Sequence, residues 1–275
     1  MAEEAGGPPA RRIPRSTPMQ PRPVVHIVGA GPGDPELLTL KAYRLLQGAQ
    51  VVVHDRLVGE GVLALLPPGV ERIDVGKTPG GPRVDQAAIN ALLVDLARSG
   101  RRVVRLKGGD PFLFGRGGEE ALYLLEHGID VEVVPGITAA FGCAAAHLVP
   151  LTHRDVASGV RFVTGHRREG WWLDLDWAGL ADPATTLVVY MGLAHVEEIT
   201  RRLLAHGRDP ATPAVAIENG TLPQAREVRA SLGRLAAAVR RAGLRSPVLF
   251  VIGEVVDVLR PHAAALEAAL APCAS

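Results

Sequence analysis

The sequence predicts an α/β protein in which parallel-rich sheets are covered by helices on both faces. Strand-like runs of Val, Ile and Leu alternate along the chain with segments whose apolar residues recur at helical spacing. Hydrophobic residues make up 47% of the 275 residues and aromatic residues only 4%, so the core is expected to be mostly Ala, Val and Leu. The alternation weakens at residues 150–158 and then restarts. These observations favour two α/β units over a β-sandwich.

The first unit is predicted to contain four strands that alternate with four helices. Its first helix starts at Pro35, directly after the typical N-cap residue Asp34, and ends near Gly48. The predicted strands are 24–30, 50–55, 101–110 and 130–136. The predicted helices are 35–49, 84–100, 117–128 and 137–149.

The second unit repeats the alternation with a different spacing. Strands are predicted at 159–166, 184–192, 213–221 and 247–256, and a helix at 196–207. Segment 226–243 begins like a strand and continues as a helix. The predicted organisation is a disordered leader rich in Pro, Gly and Arg (1–22), an N-terminal α/β domain (23–152), a C-terminal α/β domain (153–262) and a tail (263–275).

Composition excludes several classes of partner. A net charge of +1 argues against nucleic acid or an acidic membrane as the main partner. No apolar run is long enough to span a membrane, and the N-terminal segment lacks the apolar core of a secretory signal. Cys143 and Cys273 form neither a metal-ligand spacing nor a disulfide framework, so reduced thiols in a cytoplasmic protein are expected.

The first loop resembles a dinucleotide-binding turn but departs from it. Gly29, Gly31 and Gly33 give the spacing G-x-G-x-G, and Asp34 stands where the third glycine of G-x-G-x-x-G belongs. A capping carboxylate at the start of the helix would repel a pyrophosphate. Asp55, at the end of the second strand, fits a ribose-binding acid of a nicotinamide dehydrogenase. A neutral or cationic ligand, a dehydrogenase and a tight turn with a simple cap all remain open at this point.

Ligands of open α/β sheets bind at the carboxyl ends of the strands, where several loops of this chain are rich in glycine. The most specific is "RLKGGDPFLFGRGGEE", residues 105–120. From the residues alone, Arg116 and Glu119 are expected to form a surface ion pair. Lys107 is expected to be a solvated lysine. His153 and His166 are interpreted as polar loop residues, and no metal site is predicted.

The motifs "VGAGPGDPELLTLKA", "HDRLV", "VGK", "VVRLKGGDPFLFGRGGEE", "VPGITAA", "PLTHRD", "FVTGH", "YMG" and "VIGEVV" occur in this order over residues 24–260. Together they resemble the tetrapyrrole methylase family, and within it the S-adenosylmethionine-dependent uroporphyrinogen-III C-methyltransferases. The resemblance implies the class III methyltransferase fold, with two α/β domains and a cleft between them, usually as a homodimer. It implies methylation of uroporphyrinogen III at carbons 2 and 7 to precorrin-2, with S-adenosyl-L-homocysteine as the other product.

The resemblance also implies a set of site residues. S-adenosyl-L-methionine is expected to contact Pro32, Gly108, Gly109, Asp110, Leu113, Thr138, Ala139, Met191 and Gly220. Backbone groups of glycine loops suit a ligand that carries a sulfonium, a zwitterionic tail and an adenine but no phosphate.

The catalytic assignments follow the same motifs. Asp55 is the implied proton acceptor and Lys77 the implied proton donor, although Asp55 could instead position a group and Lys77 attract substrate. Arg116 and Arg154 are expected to bind substrate carboxylates, beside Met191, with Glu119 as an alternative base.

Two positions differ from the residues that many relatives carry, and two other functions are alternatives. His54 replaces a tyrosine and Thr78 replaces an arginine. A methyltransferase acting later on corrin precursors is an alternative within the family. A ribosomal-RNA methyltransferase would need a basic face that the net charge does not suggest.

Overall fold

The computed structural model describes residues 22–76, 85–165 and 174–260, and these form two five-stranded sheets, one in each half of the chain. The predicted α/β class is confirmed. Of the predicted leader only Arg22 is described, and the predicted tail lies outside the described residues. None of the helices in the described ranges is long and apolar enough to cross a membrane.

The first sheet is parallel throughout, as predicted, with the order β3-β2-β4-β1-β5. Its strands are β1 (Val24–Gly29), β2 (Val51–His54), β3 (Glu71–Asp74), β4 (Val103–Lys107) and β5 (Asp130–Val134). The intervening helices are α1 (Leu40–Gly48), α2 (Glu60–Leu63), α3 (Gln86–Arg98) and α4 (Gly117–Glu126). α1 and α2 cover one face, and α3 and α4 cover the other.

The crossovers of the first sheet define where a ligand would lie. β1 and β4 are neighbours, but the chain leaves β1 toward β2 on one side and leaves β4 toward β5 on the other. In open α/β sheets the crevice at such a switch point is the usual ligand site. The loops "GAGPGD" and "GGDP" follow β1 and β4, so both predicted glycine loops lie at this crevice.

Two predictions for the first half were wrong in detail. The segment predicted as one helix, 35–49, is a 3-10 turn (Pro35–Leu37) followed by α1. Each part has its own cap: the Asp34 carboxylate accepts from the Glu36 N–H at 2.9 Å, and the Thr39 hydroxyl accepts from the Ala42 N–H at 3.1 Å. The strand β3 was not predicted, because three of its four residues are polar and it forms the edge of the sheet.

The second sheet has the order β6-β7-β10-β8-β9. Its strands are β6 (Gly159–Thr164), β7 (Thr185–Tyr190), β8 (Pro213–Glu218), β9 (Arg226–Ser231) and β10 (Val248–Ile252). Only β6 and β7 are parallel, so the prediction of a parallel-rich sheet is wrong here. The buried runs in β8 and β10 are apolar on both faces, and such runs do not reveal the direction of their neighbours.

Helices from both halves cover the second sheet. α7 (Val196–Ala205) and α8 (Leu232–Ala242) cover one face, with α6 (Trp177–Leu180) beside them. α5 (Ala139–Ala146) and α9 (Val255–Val258) pack on the other face. α5 precedes the predicted domain boundary at residues 152/153 but contacts β10 of the second sheet. The boundary stays a prediction, and α5 is the element that joins the two halves.

Candidate active site

Three glycines bring the ends of β1, β4 and β5 into main-chain contact. A Cβ atom on Gly29 would lie 2.5 Å from the Gly136 nitrogen and 2.6 Å from the Gly109 oxygen. Main-chain hydrogen bonds in both directions join Gly31 and Gly109, with lengths of 2.7 and 3.2 Å. The glycines of the first loop therefore serve close approach of backbone to backbone, and Gly31 and Gly109 also have positive φ angles.

The Asp110 side chain joins two of these three loops. Its Oδ1 accepts from the Phe112 N–H at 2.8 Å, and its Oδ2 accepts from the Gly136 N–H at 3.2 Å. One carboxylate thus shapes the turn after β4 and ties it to the loop after β5. Leu113 lies in the same turn, with its N–H 3.4 Å from the Asp110 carbonyl oxygen.

The start of α5 is bound to the second half through one phenol. The hydroxyls of Thr138 and Tyr190 are 2.6 Å apart, and the Ala140 N–H donates to the Tyr190 oxygen at 3.0 Å. Burial raises the pKa of Tyr190, which therefore stays neutral at physiological pH. Met191 follows Tyr190 with a positive φ of 52° and a side chain that is half exposed.

The loop after β8 meets α5 and the first loop. A Cβ atom on Gly220 would lie 2.5 Å from Sγ of Cys143, and a Cβ on Gly142 would lie 2.5 Å from Cγ of Pro32. The Asp34 N–H donates to the Thr221 hydroxyl at 3.3 Å. Burial raises the pKa of Cys143 to about 11. Predicted cofactor residues from both halves therefore meet along one small-residue helix.

His147, at the C-terminus of α5, provides a further link to that loop. Its Nε2 lies 3.1 Å from the Gly220 carbonyl oxygen and its Nδ1 lies 2.7 Å from Glu227 Oε2. Burial by itself would raise the pKa of Glu227, but hydrogen bonds from Arg229 and His147 outweigh it and lower that pKa. No role for His147 is predicted from the sequence.

A buried group of four charges lies at the ends of β2 and β4. Asp55 Oδ1 is 2.5 Å from Arg105 Nη2, and Lys107 Nζ is 3.6 Å from Asp55 Oδ2. Glu120, on α4, accepts from both cations through Oε1 at 3.1 Å. The prediction of a solvated Lys107 is therefore wrong, because its side chain is 3% exposed and paired with two carboxylates.

The sequence contains a signal for this cluster that the analysis missed. Successive residues of a strand point to opposite faces. Asp55 therefore follows Val51 and Val53, and Arg105 and Lys107 follow Val103, on the face covered by α3 and α4. Charged residues at every second position of a strand that is otherwise buried on both faces require partners, which come from α4.

The remaining predicted residues lie apart from this core of contacts. Arg116 and Glu119 form the predicted exposed ion pair, with Nη2 and Oε2 2.5 Å apart, and hydrogen bonding to Glu119 raises the pKa of Arg116. Arg154 is exposed on the turn before β6. Their roles stay predictions.

Lys77, together with Thr78, His166 and Cys273, lies outside the described residues. Within the described ranges there is no cluster of His, Cys, Asp and Glu that could hold a metal ion.

The fold combines a crevice at a switch point, glycine loops that border it, and a second α/β half that is joined to the first by α5. These features define a class of two-part α/β enzyme. The family model for Tetrapyrrole (Corrin/Porphyrin) Methylases matches residues 24–236. The chain belongs to this family, and the predicted class III methyltransferase fold is confirmed.

Similar proteins agree with this assignment. The chain is 55% identical over 231 residues to a uroporphyrinogen-III C-methyltransferase from Paracoccus denitrificans, covering 84% of this chain and 80% of that protein. It is 55% identical over 232 residues to a siroheme synthase from Azotobacter vinelandii, covering 84% of this chain but only half of that protein. A crystal structure of uroporphyrin-III C-methyl transferase from Thermus thermophilus, complexed with S-adenyl homocysteine, superposes with a TM-score of 0.73 at 47% identity, covering 86% of this chain and 94% of that one.

Proposed function

We propose that this protein is an S-adenosylmethionine-dependent methyltransferase that methylates uroporphyrinogen III at carbons 2 and 7 and forms precorrin-2. The observation that carries the proposal is the 55% identity to the Paracoccus methyltransferase, which extends over 80% of that protein. Precorrin-2 is a precursor of sirohaem and of cobalamin. The chain spans half of the Azotobacter siroheme synthase, so only the methyltransfer step is proposed here.

The residues at the crevice fit the cofactor. The main chain at Gly29 and Gly136 is in close contact, whereas a Cβ atom on Gly109 would meet nothing closer than 3.9 Å, so the loop is open at Gly109. Thr138 and Ala139, at the start of α5, lie next to Gly109, and Met191 follows the end of β7. We propose that the loop around Gly108, Gly109 and Asp110 holds the amino-acid tail and ribose, with Pro32 and Gly220 closing the sides. When bound, S-adenosylmethionine supplies a methyl group that is already activated on sulfur.

The chain itself must orient the acceptor carbon and remove a proton. Holding the two reactants in line supplies much of the rate enhancement, since effective molarities of oriented reactants are large. Asp55, whose side chain is 31% exposed while its partner Arg105 is 2% exposed, is the proposed proton acceptor. Arg105 holds this carboxylate in one orientation, which general base catalysis requires. Lys77 is the proposed donor, and Glu119 is the alternative base.

The substrate carries eight carboxylates, and two exposed arginines are proposed to bind them. Arg116, on the loop that leads into α4, and Arg154, on the turn before β6, come from different halves of the chain. A planar guanidinium binds a carboxylate through two parallel hydrogen bonds, so arginine suits this substrate. Arg116 would exchange Glu119 for a substrate carboxylate at little cost, since the pair is exposed.

We further propose that the protein acts as a cytoplasmic homodimer. An open apolar groove of about 500 Å³ lies between α5 and β6 and is lined by Phe141, Val149, Leu151, Val160 and Phe162. Phe141 and the neighbouring Leu148 are each more than half exposed. Exposed apolar surface of this kind suits a second copy of the chain. Light scattering after gel filtration tests the dimer, and Phe141→Glu should shift the mass toward the monomer.

The decisive experiment is incubation with S-adenosylmethionine and enzymatically made uroporphyrinogen III. The expected product has gained two methyl groups by mass and has the absorbance of precorrin-2. Precorrin-2 offered as the acceptor is the control for a methyltransferase that acts later on corrin precursors. Methylation of precorrin-2 without methylation of uroporphyrinogen III would contradict the proposal, as would tight NADH binding without binding of S-adenosylhomocysteine.

A further inference from the structure

The cluster of Asp55, Arg105, Lys107 and Glu120 contains one member that is partly exposed and three that are buried. The Asp55 side chain is 31% exposed, whereas those of Arg105, Lys107 and Glu120 are 1 to 3% exposed. A ligand in the crevice can therefore reach this cluster through Asp55. The three buried members can affect such a ligand only through the Asp55 carboxylate.

Arg105 is the centre of the hydrogen-bond network. Its Nη2 donates to Asp55 Oδ1 at 2.5 Å, and its Nε and Nη2 donate to Glu120 Oε1 at 3.2 and 3.1 Å. Its Nη1 also donates to the Val53 and Leu106 carbonyl oxygens, at 3.4 and 3.2 Å. A guanidinium bonded to two carboxylates and two strands has no freedom to rotate. The carboxylate of Asp55 is consequently held in one orientation.

The cluster is neutral as a whole, with two cations and two carboxylates. Burial alone would lower the pKa of Arg105, but the charges of Asp55 and Glu120 outweigh burial and raise it. Glu120 is also held by Gln86 of α3, whose Nε2 donates to Oε1 at 3.1 Å. Glu120 therefore provides the counter-charge that allows two cations to stay buried beside a single partly exposed carboxylate.

One feature of the cluster is poorly suited to a purely structural role. Oε2 of Glu120 is buried without a hydrogen-bond partner among the described residues, which costs free energy. Apolar residues of similar volume often stabilise a protein as well as a buried ion network does. Buried polar atoms that remain unsatisfied require a reason, and functional sites commonly provide it.

We propose that Arg105 is a positioning residue for the methyltransfer reaction: it holds the partly exposed Asp55 carboxylate in one orientation, and Glu120 balances the charge of the two buried cations. This inference rests on the proposed function, in which Asp55 accepts the proton. Loss of Arg105 removes a cation that is bonded directly to the Asp55 carboxylate. Loss of the charge on Glu120 leaves excess positive charge beside Asp55. The two changes therefore alter the charge beside Asp55 in opposite directions.

The test compares Arg105→Gln, Arg105→Lys and Glu120→Gln with the wild type in kcat against pH. Arg105→Gln should lower kcat at least tenfold at pH 7 and move the acid limb of the profile to higher pH. Glu120→Gln should move that limb to lower pH. Arg105→Lys keeps the positive charge but loses the planar guanidinium with its several hydrogen bonds. It should therefore lower kcat and leave the acid limb of the pH profile in place. Affinity for S-adenosylhomocysteine, measured by calorimetry, should stay within twofold of the wild type in all three.

Arg208→Gln is the matched control, since Arg208 is a buried arginine of the second half that is bonded to main-chain carbonyls. It should lower stability without moving the acid limb. If Arg105→Gln fails to fold, Arg105→Lys and Glu120→Gln still test the proposal. Acid limbs that coincide in the wild type, Arg105→Gln and Glu120→Gln would overturn it. So would equal losses of kcat and of S-adenosylhomocysteine affinity.

The failure of the proposed function is distinguishable from the failure of this inference. If wild-type protein does not methylate uroporphyrinogen III, the proposed function fails. If Asp55→Asn retains wild-type kcat, the assignment of the base fails and the role of Arg105 with it. If Asp55→Asn is inactive while Arg105→Gln keeps kcat within twofold of the wild type, only the positioning role of Arg105 is overturned.

Discussion

Arg105 in the first half and Arg208 in the second are both buried, but they are held by different partners. Arg105 lies between two carboxylates, and their charges raise its pKa. Arg208 donates through Nη1 to the carbonyl oxygens of Asp182 and Thr185, and burial lowers its pKa. A guanidinium bonded to carbonyl oxygens holds a loop in place. A guanidinium bonded to a carboxylate that is partly exposed holds a group that can react.

This contrast extends to the two halves. In the first half, charges and bare glycines lie at the carboxyl ends of the strands. In the second half, Trp177 and Phe250 are part of the apolar core, and Tyr190 meets the first half through its hydroxyl and through its ring, which packs against Phe114. The first half therefore carries the chemistry in this interpretation, and the second half completes the site.

The largest effect is expected from Arg208→Ala, on stability. The change leaves the Asp182 and Thr185 carbonyl oxygens without their buried donor, and the free energy of unfolding should fall by about 3 kcal/mol. Urea unfolding followed by circular dichroism measures the loss. The folded variant should keep its affinity for S-adenosylhomocysteine. A loss of affinity in the folded variant would show that Arg208 belongs to the site. The contrast between Arg105 and Arg208 would then fail.

Cys143, on the helix that joins the halves, should make stability depend on pH in the alkaline range. Its pKa is raised to about 11 in the folded state from an ordinary value of 9.0. Between these values the unfolded state binds fewer protons than the folded state, so the free energy of unfolding falls as pH rises through this window. Two pKa units correspond to about 2 to 3 kcal/mol.

Urea unfolding at pH 8 and at pH 10.5 measures this change, with Cys143→Ala as the control. The difference between the two proteins isolates Cys143 from the tyrosines and lysines that titrate nearby. An equal loss of stability in wild type and variant would show that the Cys143 thiol is not protected by burial.

Asp110 and Asp209 form the same local turn in opposite halves. Each carboxylate accepts from the main-chain N–H two residues later, at 2.8 Å for Asp110 and 2.7 Å for Asp209. Asp110 additionally accepts from Gly136, in the loop after β5. Asp110→Ala should therefore weaken binding of S-adenosylmethionine at least tenfold, about 1.4 kcal/mol, while Asp209→Ala leaves it unchanged. Calorimetry decides, and unchanged affinity in Asp110→Ala would count against the predicted cofactor loop.

Arg116 and Arg201 provide the last pair, and the smallest effects on stability. Each bonds a glutamate three residues away on an exposed helix surface. Replacement of either by alanine should change the free energy of unfolding by less than about 1 kcal/mol. Arg116→Ala should lower turnover of uroporphyrinogen III about tenfold and leave cofactor affinity within twofold, whereas Arg201→Ala should change neither. Equal losses of turnover and cofactor affinity in Arg116→Ala would assign Arg116 a structural role.

Much of the first half follows from its sequence because its signals are local. Buried Val runs, the Asp34 cap and glycine turns each identify an element without reference to the rest of the chain. The mixed direction of the second sheet did not follow, because β8 and β10 are apolar on both faces and carry no information about their neighbours. Polar β3 was missed for the converse reason: its pairing with β2 comes from tertiary context.

The candidate site was predictable in part. The family resemblance led to Asp110, Thr138 and Gly220, and these lie around α5 as a connected set. Lys107 was placed in solvent because a lone lysine at a strand end is usually exposed. Its burial depends on Glu120, which is 13 residues later and on a different element. Tyr190 was quoted only as part of a motif, since its partners Thr138 and Ala140 are about 50 residues away.

The contact of Gly29, Gly109 and Gly136 limits how this enzyme can be re-engineered. A designer who wants to admit a bulkier cofactor analogue usually trims side chains, but these three positions have none to trim. Enlarging them is also disfavoured, because an added carbon at Gly29 or Gly136 would collide with main chain, and Gly109 has a positive φ angle that strains other residues. Changes of specificity must therefore come from other predicted cofactor residues. Leu113 and Met191 have flexible side chains, and they are the positions at which to begin a redesign.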